Sequence, residues 1–162
     1  MNKALIIIDA QNDYLSDGRF PLWNIDTTLE HISDKISEYE KNSYVVIFIQ
    51  HLSPQGAAFF DESTKGCELI PKLTNLSPNH FIVTKKHGNS FDETNLDDLL
   101  VAHSISNIEL CGMMTQNCVL FTAISEQAKK YALTILSDCC TSVSPVIHAV
   151  ALRGLSRITN VV

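Results

Sequence analysis

Three residues that could share one reaction follow apolar runs of the chain. Asp9 comes directly after Leu5–Ile8, Lys85 follows Phe81–Thr84, and Cys118 lies shortly after a third apolar run. A thiol can attack a carbonyl carbon, a carboxylate can take the thiol proton, and an ammonium can stabilise either negative charge. These residue types therefore predict nucleophilic catalysis by a cysteine.

The local sequence around Cys118 favours a reactive position. Thr115 is a good N-cap residue, and helical spacing covers Gln116–Lys130. Cys118 would then lie in the first turn, where free N–H groups and the positive end of the helix favour a thiolate and can form an oxyanion hole. The alternative is that Cys118 is one more small buried residue.

Asp9 and Lys85 favour the catalytic interpretation. A carboxylate immediately after Leu5–Ile8 is costly inside a sheet unless it is paired or used in a reaction. Taken singly, a charged residue at the end of a strand is more often an ordinary solvated group. Because all three residues follow predicted strands, we expect them at the same edge of one sheet. This shared position makes catalysis the better interpretation.

The elements that must position these residues alternate between strands and helices. Continuous apolar runs are typical of parallel strands covered on both faces, and their alternation with helical segments predicts a doubly wound α/β sheet in three layers. Ligands of such sheets gather at the carboxyl ends of the strands. The predicted strands are Ala4–Ile8, Tyr44–Ile49, Phe81–Thr84, Ile108–Cys111, Leu133–Leu136 and a short one within Ile158–Val161, and the predicted helices are Thr27–Tyr39, Glu93–His103, Gln116–Lys130 and Pro145–Leu155.

The composition bounds the class of protein. A chain of 162 residues with 45% hydrophobic residues predicts one folded domain, residues 1–162. The net charge of −6 and the lack of a basic stripe argue against a nucleic-acid partner. The first apolar run ends at Asp9, too early for a signal peptide or a membrane span, so we expect a cytoplasmic protein without a membrane partner.

The cysteines argue against a redox protein. Their number is five, so they cannot all pair, and free thiols are expected in the cytoplasm. The sequence has no CxxC motif and no evident resolving cysteine near Cys118, which disfavours thiol redox chemistry. We interpret Cys67, Cys111 and the adjacent Cys139–Cys140 as small packed residues.

Taken in order, the motifs resemble those of the isochorismatase-like cysteine hydrolases, which include nicotinamidases and N-carbamoylsarcosine amidohydrolases. The similarity covers nearly the whole chain, and the spacing to Phe91 selects Lys85 rather than the adjacent Lys86. The matching segments are LIIIDAQNDY at 5–14, GCELIP at 66–71, Lys85 with Phe91 and TNL at 94–96, GMMTQNCV at 112–119, TA at 122–123 and SD at 137–138.

The resemblance implies a six-stranded, Rossmann-like parallel sheet and a catalytic triad matching Cys118, Asp9 and Lys85. It also implies a cis peptide bond between Met113 and Met114, and an oxyanion hole formed by the backbone N–H groups of Met114 and Cys118. In the implied mechanism Asp9 takes the thiol proton, Cys118 forms a thioester, and water hydrolyses it. A homodimer or homotetramer is implied as well, and no cofactor.

Two departures from relatives narrow the expected substrate. Nicotinamidases bind a metal through an Asp-x-His after the second strand, whereas the segment Ile49–Leu52 reads IQHL, without the aspartate. No HxH or HExxH pair is present, so we expect no metal. Members that cleave isochorismate lack the cysteine nucleophile. We therefore expect a small amide, carbamoyl or related C–N substrate; the alternatives are a vinyl ether hydrolase of the isochorismate type and a degenerate member that only binds a small metabolite.

Residues around the mouth of the crevice should set specificity, although an aromatic residue of an α/β protein is more often core than pocket wall. Phe59 and Phe60 lie in the long loop Leu52–Asn79 and could reach across an oligomer interface. The expected substrate-lining residues are Gln11, Tyr14, Phe20, Trp23, His51, Phe91 and Met114.

Overall fold

The computed structural model describes residues 2–162 and contains one parallel sheet. Its order is β3-β2-β1-β4-β5-β6, so the predicted six-stranded doubly wound sheet is confirmed. The strands are β1 (Lys3–Ile8), β2 (Val45–His51), β3 (Phe81–Lys85), β4 (Asn107–Met113), β5 (Ala132–Thr141) and β6 (Asn160–Val161).

Helices cover the sheet on both sides, as the burial of the central strand shows. Every residue of Ala4–Ile8 in β1 is fully buried, and because successive side chains point to opposite faces, both faces are covered. No helix in the described part of the chain is both long and apolar enough to cross a bilayer. The helices are α1 (Ile25–Lys41), α2 (Pro71–Thr74), α3 (Leu96–Ala102), α4 (Leu120–Ala123) and α5 (Pro145–Leu155).

The strand order reverses between β1 and β4, which are paired in the middle of the sheet from Lys3↔Asn107 to Ile8↔Gly112. Crossovers from β1 lead outward through β2 to β3, and crossovers from β4 lead outward through β5 to β6. The chain therefore leaves a crevice at the carboxyl ends of β1 and β4. Asp9 and the segment before Cys118 both emerge there.

The predicted helix Gln116–Lys130 is wrong. A π-helical turn covers Thr115–Val119, α4 follows for four residues, and a separate 3₁₀ turn covers Ala128–Lys130. Ser125 ends α4, because its hydroxyl donates to the Thr122 carbonyl at 2.9 Å and accepts from the Ala128 N–H at 3.2 Å. Such local side-chain bonds compete with the helical ladder.

Three further local features differ from the expected ones, including the fifth strand, which is longer than the expected Leu133–Leu136. Glu93 has φ = 53°, a left-handed conformation, so α3 begins at Leu96 instead. Thr115 is not an N-cap: its hydroxyl donates to the Thr141 carbonyl of β5 at 2.9 Å. Cys139–Cys140 lie within β5, which continues past a register shift beside β4.

Gly112 is required where β4 passes β1 next to the crevice. Its φ is 111°, and a Cβ atom at this position would lie 2.1 Å from the carbonyl oxygen of Ile8. The backbone of Ile8 cannot move away from this Cβ atom without breaking the pairing of Ile8 with Gly112. This close approach holds the last residue before Asp9 against the segment that leads to Cys118.

We expect Gly112→Ala to lower the free energy of unfolding by more than about 2 kcal/mol or to prevent folding, because both the left-handed φ and the contact with Ile8 oppose a side chain. Gly154→Ala is the matched control, since a Cβ there meets nothing within 4 Å in α5. The control should gain about 0.5–1 kcal/mol. Urea denaturation measures both, and equal stabilities of Gly112→Ala and the unmodified protein would contradict the argument.

Candidate active site

Asp9 is held at the carboxyl end of β1 by its backbone. Its N–H donates to the Ile49 carbonyl at 3.0 Å, and its own carbonyl accepts from the Gln11 N–H at 2.8 Å. The residue has φ = 50°, a left-handed conformation that aspartate and asparagine adopt more readily than most residues. The side chain is fully buried, so its carboxylate is fixed inside the crevice.

Lys85 forms a buried ion pair with Asp9. Its Nζ lies 3.0 Å from Asp9 Oδ2, and both side chains are fully buried. Burial alone disfavours the ammonium, but the negative charge of Asp9 and the neighbouring Cys118 prevail and raise the pKa of Lys85. Nζ also donates to the His87 carbonyl at 3.1 Å, which fixes the direction of the side chain.

Cys118 completes a close group with these residues. It lies in the π-helical turn and is 4% exposed, and its Sγ lies within 4.8 Å of a carboxylate oxygen of Asp9 and of a ring nitrogen of His51. Cysteine, carboxylate and ammonium, which the sequence placed at three strand ends, therefore meet at one buried point.

The surroundings of Cys118 favour the thiol, contrary to the preference for a thiolate expected at a helix start. Burial and the charge of Asp9 together raise the pKa of Cys118 to about 12, because Lys85 opposes them only in part. The turn around Cys118 has only five residues, and the N–H groups of Asn117 and Val119 already donate to the Met114 carbonyl. The helix start therefore does not outweigh desolvation.

Buried contacts also fix the turn that carries Cys118. Thr115 is fully buried; because its hydroxyl donates to the Thr141 carbonyl, it accepts from His148 Nδ1 at 2.8 Å. The peptide bond between Met113 and Met114 is cis. Met114 is 7% exposed, and Gln116 Nε2 lies 3.5 Å from its sulfur. An oxyanion hole formed by the N–H groups of Met114 and Cys118 stays a prediction.

Gln11 does not line the crevice as expected, because its side chain is fully buried and bonded on both ends. Its Nε2 donates to the carbonyls of His51 at 2.8 Å and Cys67 at 2.7 Å, and its Oε1 accepts from the His51 N–H at 2.8 Å. With both amide hydrogens and the oxygen engaged, Gln11 instead fixes the end of β2.

Phe91 is also wrong as a lining residue. It is 6% exposed, and its ring stacks on Tyr131 with centroids 6.4 Å apart. Tyr131 precedes β5, so it lies at the amino-terminal edge of the parallel sheet, opposite the edge that holds Asp9. Trp23, by contrast, is 39% exposed and lies 5.8 Å from the ring of His148, beside the turn that carries Cys118.

An aromatic cluster of Tyr14, Phe20, Phe59 and Phe60 lies next to the charged residues. Tyr14 and Phe60 are 4.8 Å apart, Phe20 and Phe59 are stacked at 5.1 Å, and Phe60 lies 5.7 Å from His51. Burial, followed by the charges of Asp9 and Cys118, raises the pKa of Tyr14, so its hydroxyl stays protonated.

The cluster contradicts the expectation that Phe60 reaches another subunit, because Phe60 is 1% exposed within its own chain. The expected dimer or tetramer itself stays a prediction. Asp13 holds the loop in place: its Oδ2 accepts from the Phe60 N–H at 2.6 Å. The sequence did not single out Asp13, since its partner lies 47 residues away.

The group formed by Asp9, His51, Lys85 and Cys118 does not fit a metal ion. Asp9, His51 and Cys118 offer donor atoms within 4.8 Å of one another. The ammonium of Lys85, however, lies 3.0 Å from Asp9 Oδ2 and 3.3 Å from His51 Nδ1. A positive charge already occupies the space between two of the three donors and would repel a second cation.

Fold and site together define a doubly wound α/β protein with a buried Cys–Asp–Lys group at its switch point. A model of the isochorismatase domain matches residues 3–162. The chain belongs to the isochorismatase family of hydrolases.

The chain is similar to several family members in sequence and to solved structures in fold. The secreted isochorismatase effector Isc1 of Verticillium dahliae is 31% identical over 137 residues, 85% of this chain and 71% of that protein. The isochorismatase-like hydrolase from Alkaliphilus metalliredigens is 27% identical with a TM-score of 0.89, covering 100% of this chain and 94% of the other. Nicotinamidase PncA from Bacillus subtilis is 25% identical with a TM-score of 0.86, covering 99% of both chains.

We expect Asp9→Asn to make Cys118 more reactive toward iodoacetamide at pH 9. The substitution tolerates the left-handed backbone and removes a negative charge that raises the pKa of Cys118, while Lys85 remains. Each unit by which the pKa falls gives about tenfold more thiolate. The rate is measured by intact mass with peptide mapping, and Cys118→Ala identifies labelling elsewhere. Slower alkylation of Asp9→Asn at this pH would contradict the effect that we assign to the Asp9 charge, which is to raise the pKa of Cys118.

Proposed function

We propose that the protein hydrolyses the C–N bond of a small amide, carbamoyl or related compound, with Cys118 as nucleophile, Asp9 as general base and Lys85 as their electrostatic partner. The observation that carries this proposal is the meeting of these three side chains at one buried point of the switch crevice. A thiol with a pKa raised to about 12 needs a base to react at neutral pH, and Asp9 is the carboxylate within reach.

In the first step, Asp9 takes the proton of Cys118 as its sulfur attacks the carbonyl carbon. The C=O bond opens to an oxyanion, which we assign to the backbone N–H groups of Met114 and Cys118. The protonated Asp9 then gives its proton to the leaving nitrogen, and the C–N bond breaks. The products of this half-reaction are an amine or ammonia and a thioester on Cys118.

In the second step, Asp9 takes a proton from water, and the hydroxide oxygen attacks the thioester carbonyl. The S–C bond breaks, Asp9 returns the proton to the sulfur, and the acid leaves. Lys85 stays charged throughout, because its raised pKa keeps it an ammonium, and it balances the negative charge as this passes among Asp9, the oxyanion and the sulfur.

Hydrolysis of a vinyl ether is the alternative within this family, and the placement of Cys118 disfavours it. A vinyl ether has no carbonyl carbon for the sulfur to attack, so Cys118 would have no part in that reaction. The sulfur instead lies beside the base that it needs for acyl transfer. Nicotinamidase PncA, a structural relative named for an amide substrate, supports the C–N assignment.

We expect a panel of small amides, ureas and carbamoyl compounds to reveal a substrate through ammonia release. Cys118→Ala should abolish turnover of that substrate, since no other group can form the thioester. Rapid quenching followed by mass spectrometry should find the acyl group on Cys118 of the unmodified protein. Full turnover by Cys118→Ala would show that the mechanism is wrong.

A matched pair of lysine variants tests the electrostatic role. Lys85→Met should lower the activity by a factor of about 10² or more, which is the typical loss when a group that stabilises the charge of the transition state is removed. Lys86→Met should retain it, because Lys86 is exposed and lies just after the end of β3. Ammonia release measures both, with circular dichroism confirming the fold. Equal losses in the two variants would contradict the assignment to Lys85.

A further inference from the structure

His51 lies beside Asp9, Lys85 and Cys118 and is more exposed than they are. Its side chain is 19% exposed, whereas those of Asp9 and Lys85 are fully buried. One of its ring nitrogens lies within 4.8 Å of Cys118 Sγ. A substrate atom one or two bonds from a carbon attached to that sulfur would therefore come within reach of the His51 ring.

The contacts of His51 determine which ring nitrogen carries the proton. Lys85 Nζ lies 3.3 Å from Nδ1, and an ammonium has only donors, so Nδ1 must offer its lone pair. Asp9 Oδ2 is 3.8 Å from Nδ1, too far for a hydrogen bond that would hold a proton there. The proton of the neutral ring therefore belongs on Nε2.

The backbone of His51 is held by Gln11, and one side of its ring lies near Phe60. Gln11 bonds to the N–H and the carbonyl of His51, each at 2.8 Å, and the ring of Phe60 lies 5.7 Å away. A donor held this firmly loses little entropy when it bonds to a ligand. Since Nδ1 is already engaged, Nε2–H is the group of His51 that is free to select a ligand.

We propose that His51 is a specificity-determining residue that orients the substrate by donating a hydrogen bond from Nε2–H. The preferred substrates carry an acceptor oxygen on the atom next to the scissile carbonyl carbon or on the following atom, as in oxo-, carboxy- or acyl-substituted amides. This inference rests on the proposed function for the reaction, but the state of the ring and its effect on ligands of Cys118 can be measured without any turnover.

The first experiment measures the tautomer directly. Two-bond ¹H–¹⁵N correlation spectra of the protein labelled with ¹⁵N-histidine, recorded at pH 7.5, should show His51 as a neutral ring protonated at Nε2. The signals of His51 are assigned by their loss in His51→Asn. A ring protonated at Nδ1, or an imidazolium, would overturn the proposal.

The second experiment compares two alkylating probes of Cys118 at pH 9. Iodoacetate carries a carboxylate that can accept from Nε2–H, whereas allyl bromide is a neutral alkylating probe of similar size that has no acceptor and reports the reactivity of the thiol. His51→Asn keeps an acceptor near the Nδ1 position but lacks the Nε2 donor, and His51→Gln retains a donor near Nε2. The rate ratio of iodoacetate to allyl bromide should fall roughly 3- to 10-fold in His51→Asn, as for the loss of one hydrogen bond, and recover in His51→Gln.

The outcomes separate this proposal from the hydrolase assignment. An unchanged ratio in His51→Asn, or an equal fall in both variants, would overturn the role of Nε2–H, because a merely structural effect changes both probes alike. His103→Asn, which alters a histidine directly after α3 that packs on Phe81 at the start of β3, is the control and should keep the ratio of the unmodified protein. If no amide is hydrolysed but the tautomer and the ratio are as expected, the proposed function fails and the role of His51 stands.

Discussion

The buried ion pair between Asp9 and Lys85 is the interaction on which the candidate site depends. The Lys85 ammonium lies 3.0 Å from the Asp9 carboxylate, both side chains are fully buried, and each charge offsets part of the cost of burying the other. Removing one partner of such a pair typically costs about 3–5 kcal/mol, because the remaining charge is left uncompensated. The pair also explains why this crevice does not suit a metal: the cation that balances Asp9 is part of the chain.

The same pair sets the state of Cys118. A buried thiol beside a carboxylate is held in its neutral form, and an ammonium within the group keeps its ionised form accessible. The site thus contains one positive charge and one negative charge that can leave the carboxylate. In our proposed reaction the negative charge passes from Asp9 to the oxyanion and back while the net charge of the buried group stays constant, which avoids a large desolvation cost.

The residues that a substrate would meet are positioned by long-range side-chain hydrogen bonds as well as by the sheet. Asp13 fixes Phe60 in a loop, and Gln11 fixes His51 at the end of β2, each through hydrogen bonds to the backbone of a distant segment. The result is an aromatic cluster on one side of Asp9, Lys85 and Cys118 and a histidine ring on the more exposed side. Asp13 and Gln11 are both buried, so their function is to position the residues that a substrate would meet.

The sequence by itself determined the sheet and the charged group. Continuous apolar runs identified the parallel strands, and the rule that strand ends share one edge brought together Asp9, Lys85 and Cys118. These are local signals, since an apolar run and the charge that ends it are read within a few residues. The family motifs supported the same three residues and the cis peptide bond between Met113 and Met114.

Only the tertiary structure decided which residues face the crevice and in what state. Gln11 and Phe91 looked like lining residues, but their partners, His51 and Tyr131, lie 40 residues away along the chain in both cases, beyond any local pattern. The thiol form of Cys118 follows from burial by residues of several elements, which outweighs the helix start that the sequence indicated. The protonated nitrogen of His51 likewise depends on Lys85, a residue of the neighbouring strand. Burial and long-range hydrogen bonds are properties of the packed chain, and therefore only the packed chain shows them.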